Sequence, residues 1–208
     1  MGILNKTEIK DRMKLTDYND KLLITPLLTE DQIGPGSVDV RLGSSIIIPK
    51  KSYADKQDVT NPEISRQVEQ RLYDRRRLKY KSKFLLHPNQ LILAVTLEYI
   101  SLPDNVACVI ASRSSWGRLG LVVATAAMVQ PGYKGCLTLE LANLSESPIA
   151  LYPGLPVGQL VFHEVNIGGG GKKYEGRYDC PTEAELPKFF SSDADDELAF
   201  WGGFPIRK

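Results

Sequence analysis

Between residues 37 and 48 the chain reads SVDVRLGSSIII, where apolar Val38, Val40 and Leu42 alternate with Asp39 and Arg41. A period of two is the mark of a strand with one face buried. The same texture returns from residue 83. KFLLH, LILAVTLEYI, VACVIAS, CLTLEL, IALY and VGQLVFHEV are dense in Val, Ile, Leu and Thr. Pro88-Asn89, Pro103-Asp104, Pro131-Gly132 and Pro153-Gly154 separate them as turns. Short strands about ten residues apart predict an all-β sandwich, jelly roll or barrel. A parallel α/β sheet needs amphipathic helices between strands, and there is no room for them. Upstream, KTEIKDRMKL over residues 6–15 predicts one short helix, with Ile9 and Met13 on one face. The Pro- and Gly-punctuated ITPLLTEDQIGPG reads as loop.

Two stretches break the β pattern. Residues 51–82 are polar and poorly periodic and carry Arg75, Arg76 and Arg77. They read as a solvated loop or exposed hairpin, or as a polyanion-binding patch, with nearby Glu69 and Asp74 weakening the latter. Gly168 to Gly171 cannot hold one conformation cheaply and predict a hinge. This divides the chain into a β domain over 1–167 and a mobile C-terminal arm and tail over 168–208, with a short helix around Glu183 to Leu186. The glycine run is not a phosphate-binding P-loop, because Lys173 follows Lys172 where Ser or Thr is needed.

Composition narrows the chemistry. The chain has 208 residues and a net charge of +1, which argues against a dedicated nucleic-acid binder. Its start has no apolar secretory core and no segment approaches a membrane span, so a soluble cytoplasmic protein is expected. Three cysteines and two histidines, His87 and His163, form no C-x-x-C or H-x-E pair. A zinc site is therefore not expected, and a Cys-His nucleophilic pair has no local signature.

Two constellations remain. The first is Ser112-Arg113-Ser114-Ser115-Trp116-Gly117-Arg118. Backbone amides at a strand-to-turn junction, with hydroxyls and guanidinium groups, suit phosphate. A capped turn with surface arginines is the alternative. The second is Gln130-Pro131-Gly132-Tyr133, a tight turn leading into Cys136-Leu137-Thr138-Leu139-Glu140-Leu141. Alternation puts Leu137, Leu139 and Leu141 on one face, and Thr138 and Glu140 on a polar wall opposite. Glu140 there is either a general base held by rigid backbone or an exposed-face carboxylate.

These segments, with SVDVRLG, LHPNQLILAVTLE and PGLPVGQLVF, resemble the dCTP deaminases of the dUTPase-like superfamily from about Ser37 to Phe162, with a weaker echo in Lys173-Tyr174. The resemblance implies a distorted, jelly-roll-like β-barrel forming a homotrimer, with active sites at subunit interfaces. It implies deamination of dCTP to dUTP, magnesium carried on the triphosphate and no metal at the reacting carbon. Matched by motif, Glu140 is the general base and acid, Ser114 binds the water or the 4-amino region, and Arg118 orients both. Arg113, Ser114 and Ser115 meet the phosphates beside Trp116 and Gly117. Thr138 and Leu139 read the cytosine edge through their main chain. Lys173 and Arg177 close on the triphosphate from the arm.

The chain departs from the family pattern in three places. Gln130 stands where an Asp is usual. Gln can hydrogen-bond a sugar hydroxyl but cannot act as a base, which disfavours hydrolysis onward to dUMP. Ala127 and Met128 replace a His and an Arg, putting product feedback in doubt. Arg177 replaces a Gln, and a tail with Phe200, Trp201 and Phe204 follows. A bifunctional dUMP-forming enzyme and a nucleotide-binding sensor with weak catalysis are the alternatives.

Overall fold

The computed structural model of the chain describes residues 2–52, 71–125, 128–166, 178 and 180–188. The glycine hinge, Ala127, Lys173, Arg177 and the aromatic tail lie outside them. Helix α1 spans Lys6–Lys14. Asn5 begins it by accepting the Thr7 and Glu8 amides, while Glu8 accepts the Asn5 amide in return. This reciprocal cap satisfies donors that the first turn leaves unpaired. Ile9 is fully buried beneath the helix.

The rest is β structure: β1 Leu23–Thr25, β2 Val38–Pro49, β3 Tyr73–Arg77, β4 Phe84–Leu86, β5 Leu91–Ser101, β6 Val106–Ser112, β7 Leu121–Val123, β8 Met128–Val129, β9 Lys134–Asn143, β10 Ile149–Leu151 and β11 Pro156–Glu164. One five-residue helix, α2, covers Ser114–Arg118 between β6 and β7. Nine strands form a curled half-barrel in the order β7-β9-β5-β2-β11-β6-β8, with β1 added to β5 and β3 to β2. Strands β10 and β4 make a separate pair. The expected all-β barrel-like fold with one N-terminal helix is what forms. Every strand pairing among the described residues is antiparallel, which short turns permit without crossover helices.

The predicted alternation in β2 is met. Val38, Val40 and Leu42 are completely buried, and Asp39 and Arg41 are half-buried on the other face. A fully buried Leu or Ile contributes about 1.5–3 kcal/mol. Beyond Leu42 the register against β5 shifts before Ile46. Gly43 sits in that irregular stretch because a Cβ there would come within 2.7 Å of Val95 Cγ1 and 2.9 Å of its carbonyl.

Two expectations are corrected, and a third narrows to one of its alternatives, the exposed hairpin. The segment read as loop before Ser37 contains β1 and a 3-10 turn, Glu30–Gln32, because Gln32 is drawn into a buried polar cluster. Within residues 51–82, Tyr73–Arg77 form an edge strand paired with β2. Its arginines are engaged within the chain: Arg76 with Asp74, Arg77 with Glu183, and Arg75 with the Ala184 carbonyl. The helix expected around Glu183 to Leu186 does not form, since Pro181–Lys188 contains no helix. Instead Ala184 and Leu186 insert beside Ile47, Leu93, Val95 and Cys136 on the outer face of the sheet. Burial of two apolar side chains there outweighs weak local helix propensity. No helix among the described residues is long and apolar enough to cross a membrane.

Candidate active site

The site begins at the turn before β9. Gly132 has φ +79°, the left-handed value that the third position of such a turn demands, and the Tyr133 amide donates to the Gln130 carbonyl at 3.2 Å. The Tyr133 hydroxyl donates to the Cys136 carbonyl at 2.9 Å, closing the turn onto the strand. Strand β9 is then held on both sides. Leu93 of β5 lies opposite Glu140, while β7 pairs through Val123 with Leu141. Past β7, Ala124 donates its amide to the Glu140 carbonyl at 2.8 Å, and Glu140 donates its own amide to Thr125 Oγ1 at 3.0 Å.

Glu140 opens into a cavity of about 650 Å³. Its Oε2 is buried and has no hydrogen-bond partner among the described residues. Thr138 and Glu140 share the cavity face as the alternation predicts, but apolar side chains line much of it. Leu91, Leu93, Met128, Val129 and Leu137 line the cavity with Glu140, and Thr125, Gln130 and Thr138 supply polar groups. An apolar pocket with few convergent polar groups is the usual form of a small-molecule site. A buried carboxylate oxygen without a partner is costly in a folded protein, so its presence needs a reason.

The other predicted residues divide between this cavity and a separate surface. Thr138 and Gln130 line the cavity. Leu139 is wholly buried in the core, leaving only its main chain to meet a ligand. Arg113 through Arg118 do not line it. Ser114, Ser115, Gly117 and Arg118 are exposed on α2. Trp116 anchors that helix by donating its indole N–H to the Pro156 carbonyl at 2.7 Å. Arg113 forms an ion pair with Asp39 of β2. Lys173 and Arg177 lie outside the described residues.

Several site residues have no counterpart in the sequence reading. Thr125 is the one polar side chain of LGLVVATAAMV, and an isolated hydroxyl in an apolar run was the available signal. Asp39 was legible as a strand residue but not as the partner of Arg113. Tyr178, Pro181, Glu185 and Pro187 line the cavity from the C-terminal segment, together with Pro49 and Tyr73. That segment is fastened by Cys136 and Glu185, whose amides donate to the Pro181 carbonyl at 2.7 Å and to Thr138 Oγ1 at 3.0 Å. Gly135, with φ +141°, lets Pro181 come this close, because any Cβ there would collide with the proline ring.

The Cys108 and Cys136 thiols are poor nucleophiles. Burial pushes Cys108 up to about 12. Burial, with the charge of Glu98 adding to it, also raises Cys136. A thiol kept protonated is inert. Among the described residues no group of three His, Cys, Asp or Glu is placed to hold a metal ion.

Residues 3–165 match the family model described as dCTP deaminase-like. The dUMP-forming dCTP deaminase of Methanobrevibacter smithii is 39% identical over 166 residues, covering 78% of this chain and 80% of the relative. The dCTP deaminase of Haemophilus ducreyi is 39% identical over 181 residues, covering 86% of this chain and 93% of the relative. The solved 2'-deoxycytidine 5'-triphosphate deaminase of Agrobacterium tumefaciens shares the fold, with a TM-score of 0.59 and 23% identity over 79% of this chain and 48% of that one.

Proposed function

The chain belongs to the dCTP deaminase-like family, and we propose that it hydrolyses the 4-amino group of dCTP, releasing dUTP and ammonia with Glu140 as the proton carrier. The observation that carries this reading is the Glu140 carboxylate, with one oxygen buried and unpartnered at the wall of a nucleotide-sized cavity. Water adds its oxygen to C4 of cytosine, and negative charge develops at N3. Glu140 takes one water proton and delivers it to N4. The C4–N4 bond breaks, ammonia leaves, and the remaining hydroxyl proton moves to N3 to give uracil. Such acid-base help is worth about 10²–10⁴-fold. Main-chain groups of Thr138 and Leu139 are suited to the cytosine edge, being a donor and acceptor on fixed strand backbone. Gln130 offers a hydrogen bond to the sugar.

Arg113, Ser114, Ser115 and Arg118 belong to the same reaction but not to the same cavity of one chain. The exposure of Ser114, Ser115 and Arg118 on α2, just after Arg113, supports a site completed by a neighbouring subunit, as in a homotrimer. Arg118 and Ser114 then hold the water, and Arg113 and Ser115 meet the phosphates, with Lys173 and Arg177 assigned to the same anion by the resemblance. Magnesium enters as part of the substrate, on its triphosphate. The reading is tested by incubating the protein with dCTP, CTP, dCMP and dUTP, with and without magnesium, and identifying every product. Glu140→Gln is expected to bind dCTP and release no ammonia; normal turnover by that variant overturns the assignment.

A second reading, continuation to dUMP, is favoured by the M. smithii relative and by a second one from Persephonella marina, 37% identical and likewise named dUMP-forming. Gln130 weighs against it, since an amide cannot activate the water that attacks phosphorus. Pyrophosphate beside ammonia in the product analysis decides for the second reading, and dUTP without pyrophosphate for the first.

A further inference from the structure

Thr125 stands apart from the residues that the family resemblance assigns. It follows β7, where the ladder with β9 ends, and its side chain replaces the next rung. Thr125 Oγ1 accepts the amide of Glu140 itself, 3.0 Å away, while Ala124 donates to the carbonyl of the same residue at 2.8 Å. The Glu140 backbone is therefore gripped from this side by two consecutive residues. A hydroxyl has one donor and two acceptor sites, and the Glu140 amide uses one acceptor. The remaining donor lies in a cavity whose lining includes both Thr125 and Glu140. Leu91, Leu93, Met128 and Val129 line the same cavity without a hydrogen-bonding side chain, while Gln130, Tyr133, Thr138 and Glu185 line it with one. Within this lining, Glu140 Oε2 is a buried acceptor with no partner.

We propose that Thr125 is a positioning residue for the reaction: by holding the Glu140 amide and presenting its own O–H to the cavity, it sets where the Glu140 carboxylate points when substrate is bound. The inference rests on the reading of Glu140 as proton carrier. A hydroxyl fixed to the base's own backbone is well suited to this, since any displacement of the strand moves both groups together. Small misplacement of a reacting group costs rate far more than it costs binding. Thr125 takes no proton from the substrate.

The test compares full-length Thr125→Val with Thr125→Ser. Valine keeps the shape and removes the hydroxyl; serine keeps the hydroxyl. For Thr125→Val, kcat for ammonia release from dCTP is expected to fall by about tenfold to a hundredfold, with KM within about twofold. Thr125→Ser is expected to retain at least about half of kcat. Hydrogen exchange of the peptide spanning residues 137–143 gives a readout that needs no activity. It should quicken in Thr125→Val and not in Thr125→Ser. An unchanged kcat in Thr125→Val, equal losses in both variants, or unchanged exchange in Thr125→Val overturns the proposal. A valine variant that fails to fold leaves the serine variant to decide, because loss of kcat there with the hydroxyl retained overturns it and retention supports it. If the wild-type protein releases no ammonia, the reading of Glu140 falls, while the exchange comparison still shows whether Thr125 holds it.

Discussion

Two carboxylates on neighbouring strands meet burial in opposite ways. Glu98 of β5 is completely buried and fully engaged. Its Oε1 accepts from Gln32 Nε2 at 2.8 Å, its Oε2 accepts the Arg41 amide at 2.8 Å, and the Arg41 guanidinium lies 3.4 Å from Oε1. Thr96 joins the cluster by donating to the Glu98 carbonyl and accepting the Leu137 amide. All of this falls where the β5–β9 register shifts between Val95 and Tyr99, so side chains replace ladder bonds that the irregularity removes. Glu140 of β9 keeps regular register with β5, gives its amide to Thr125, and leaves Oε2 without a partner among the described residues. The first carboxylate stabilises a defect in the sheet. The second is left unsatisfied at a cavity wall, which is how a group awaiting a substrate looks.

That contrast can be broken in several ways. The largest separation is in activity: Glu140→Gln should lose ammonia release, by at least about 10²–10⁴-fold, while its urea midpoint stays at or above that of wild type, because Oε2 makes no hydrogen bond to lose among the described residues. In stability the order reverses. Glu98→Ala should cost about 3–5 kcal/mol in urea unfolding, since Arg41 and Gln32 are left buried without their acceptor. If Glu98→Ala is no less stable than Glu140→Gln, the distinction fails.

The C-terminal wall of the cavity gives a smaller effect. Leu186→Ala should cost about 2 kcal/mol or more, because Leu186 is buried against Leu93 and Val95 rather than lying in solvent. A change within about 0.5 kcal/mol, the range of surface substitutions, would mean the segment is not docked.

The smallest effect is in pH. Burial raises the Glu98 carboxyl above its ordinary 4.5, and hydrogen bonds from Arg41 and Gln32 only partly oppose this. The folded protein therefore holds that proton more tightly than the unfolded chain. The associated stability is fully present below 4.5 and is lost as pH rises through the folded-state value. Glu98→Gln cannot titrate, so the stability gap between wild type and this variant should narrow as pH rises above 4.5 and through the raised folded-state value. A gap that widens over this range would show that the Arg41 pairing outweighs burial.

Much of this was readable in advance, for physical reasons that can be named. Alternation in SVDVRLG identified β2, because each strand has one face on the core. The turn at Pro131-Gly132 was legible because only a few residue types adopt its angles. Glu140 was found on the correct strand, yet its surroundings were misjudged. Period-two reasoning says which side of the sheet Thr138 and Glu140 occupy, but not what covers that side. The cover is Leu91 and Leu93 from β5, Met128 and Val129 from β8, and Pro181, Glu185 and Pro187 from a segment read as arm. None of these is near Glu140 in sequence except through the fold. The Asp39–Arg113 pair likewise joins residues 74 positions apart.

The sequence by itself determined the strand pattern, the single N-terminal helix and the residue types available for chemistry: a carboxylate on β9, and serines and arginines after β6. Those follow from local sterics and from which side chains tolerate water. Only the tertiary structure decided that one carboxylate is satisfied and the other is not. It also decided that Thr125 grips Glu140, and that the arginine-serine helix does not line the cavity it is expected to serve. Satisfaction, cover and separation are properties of groups brought together by long-range pairing, and no local pattern encodes them.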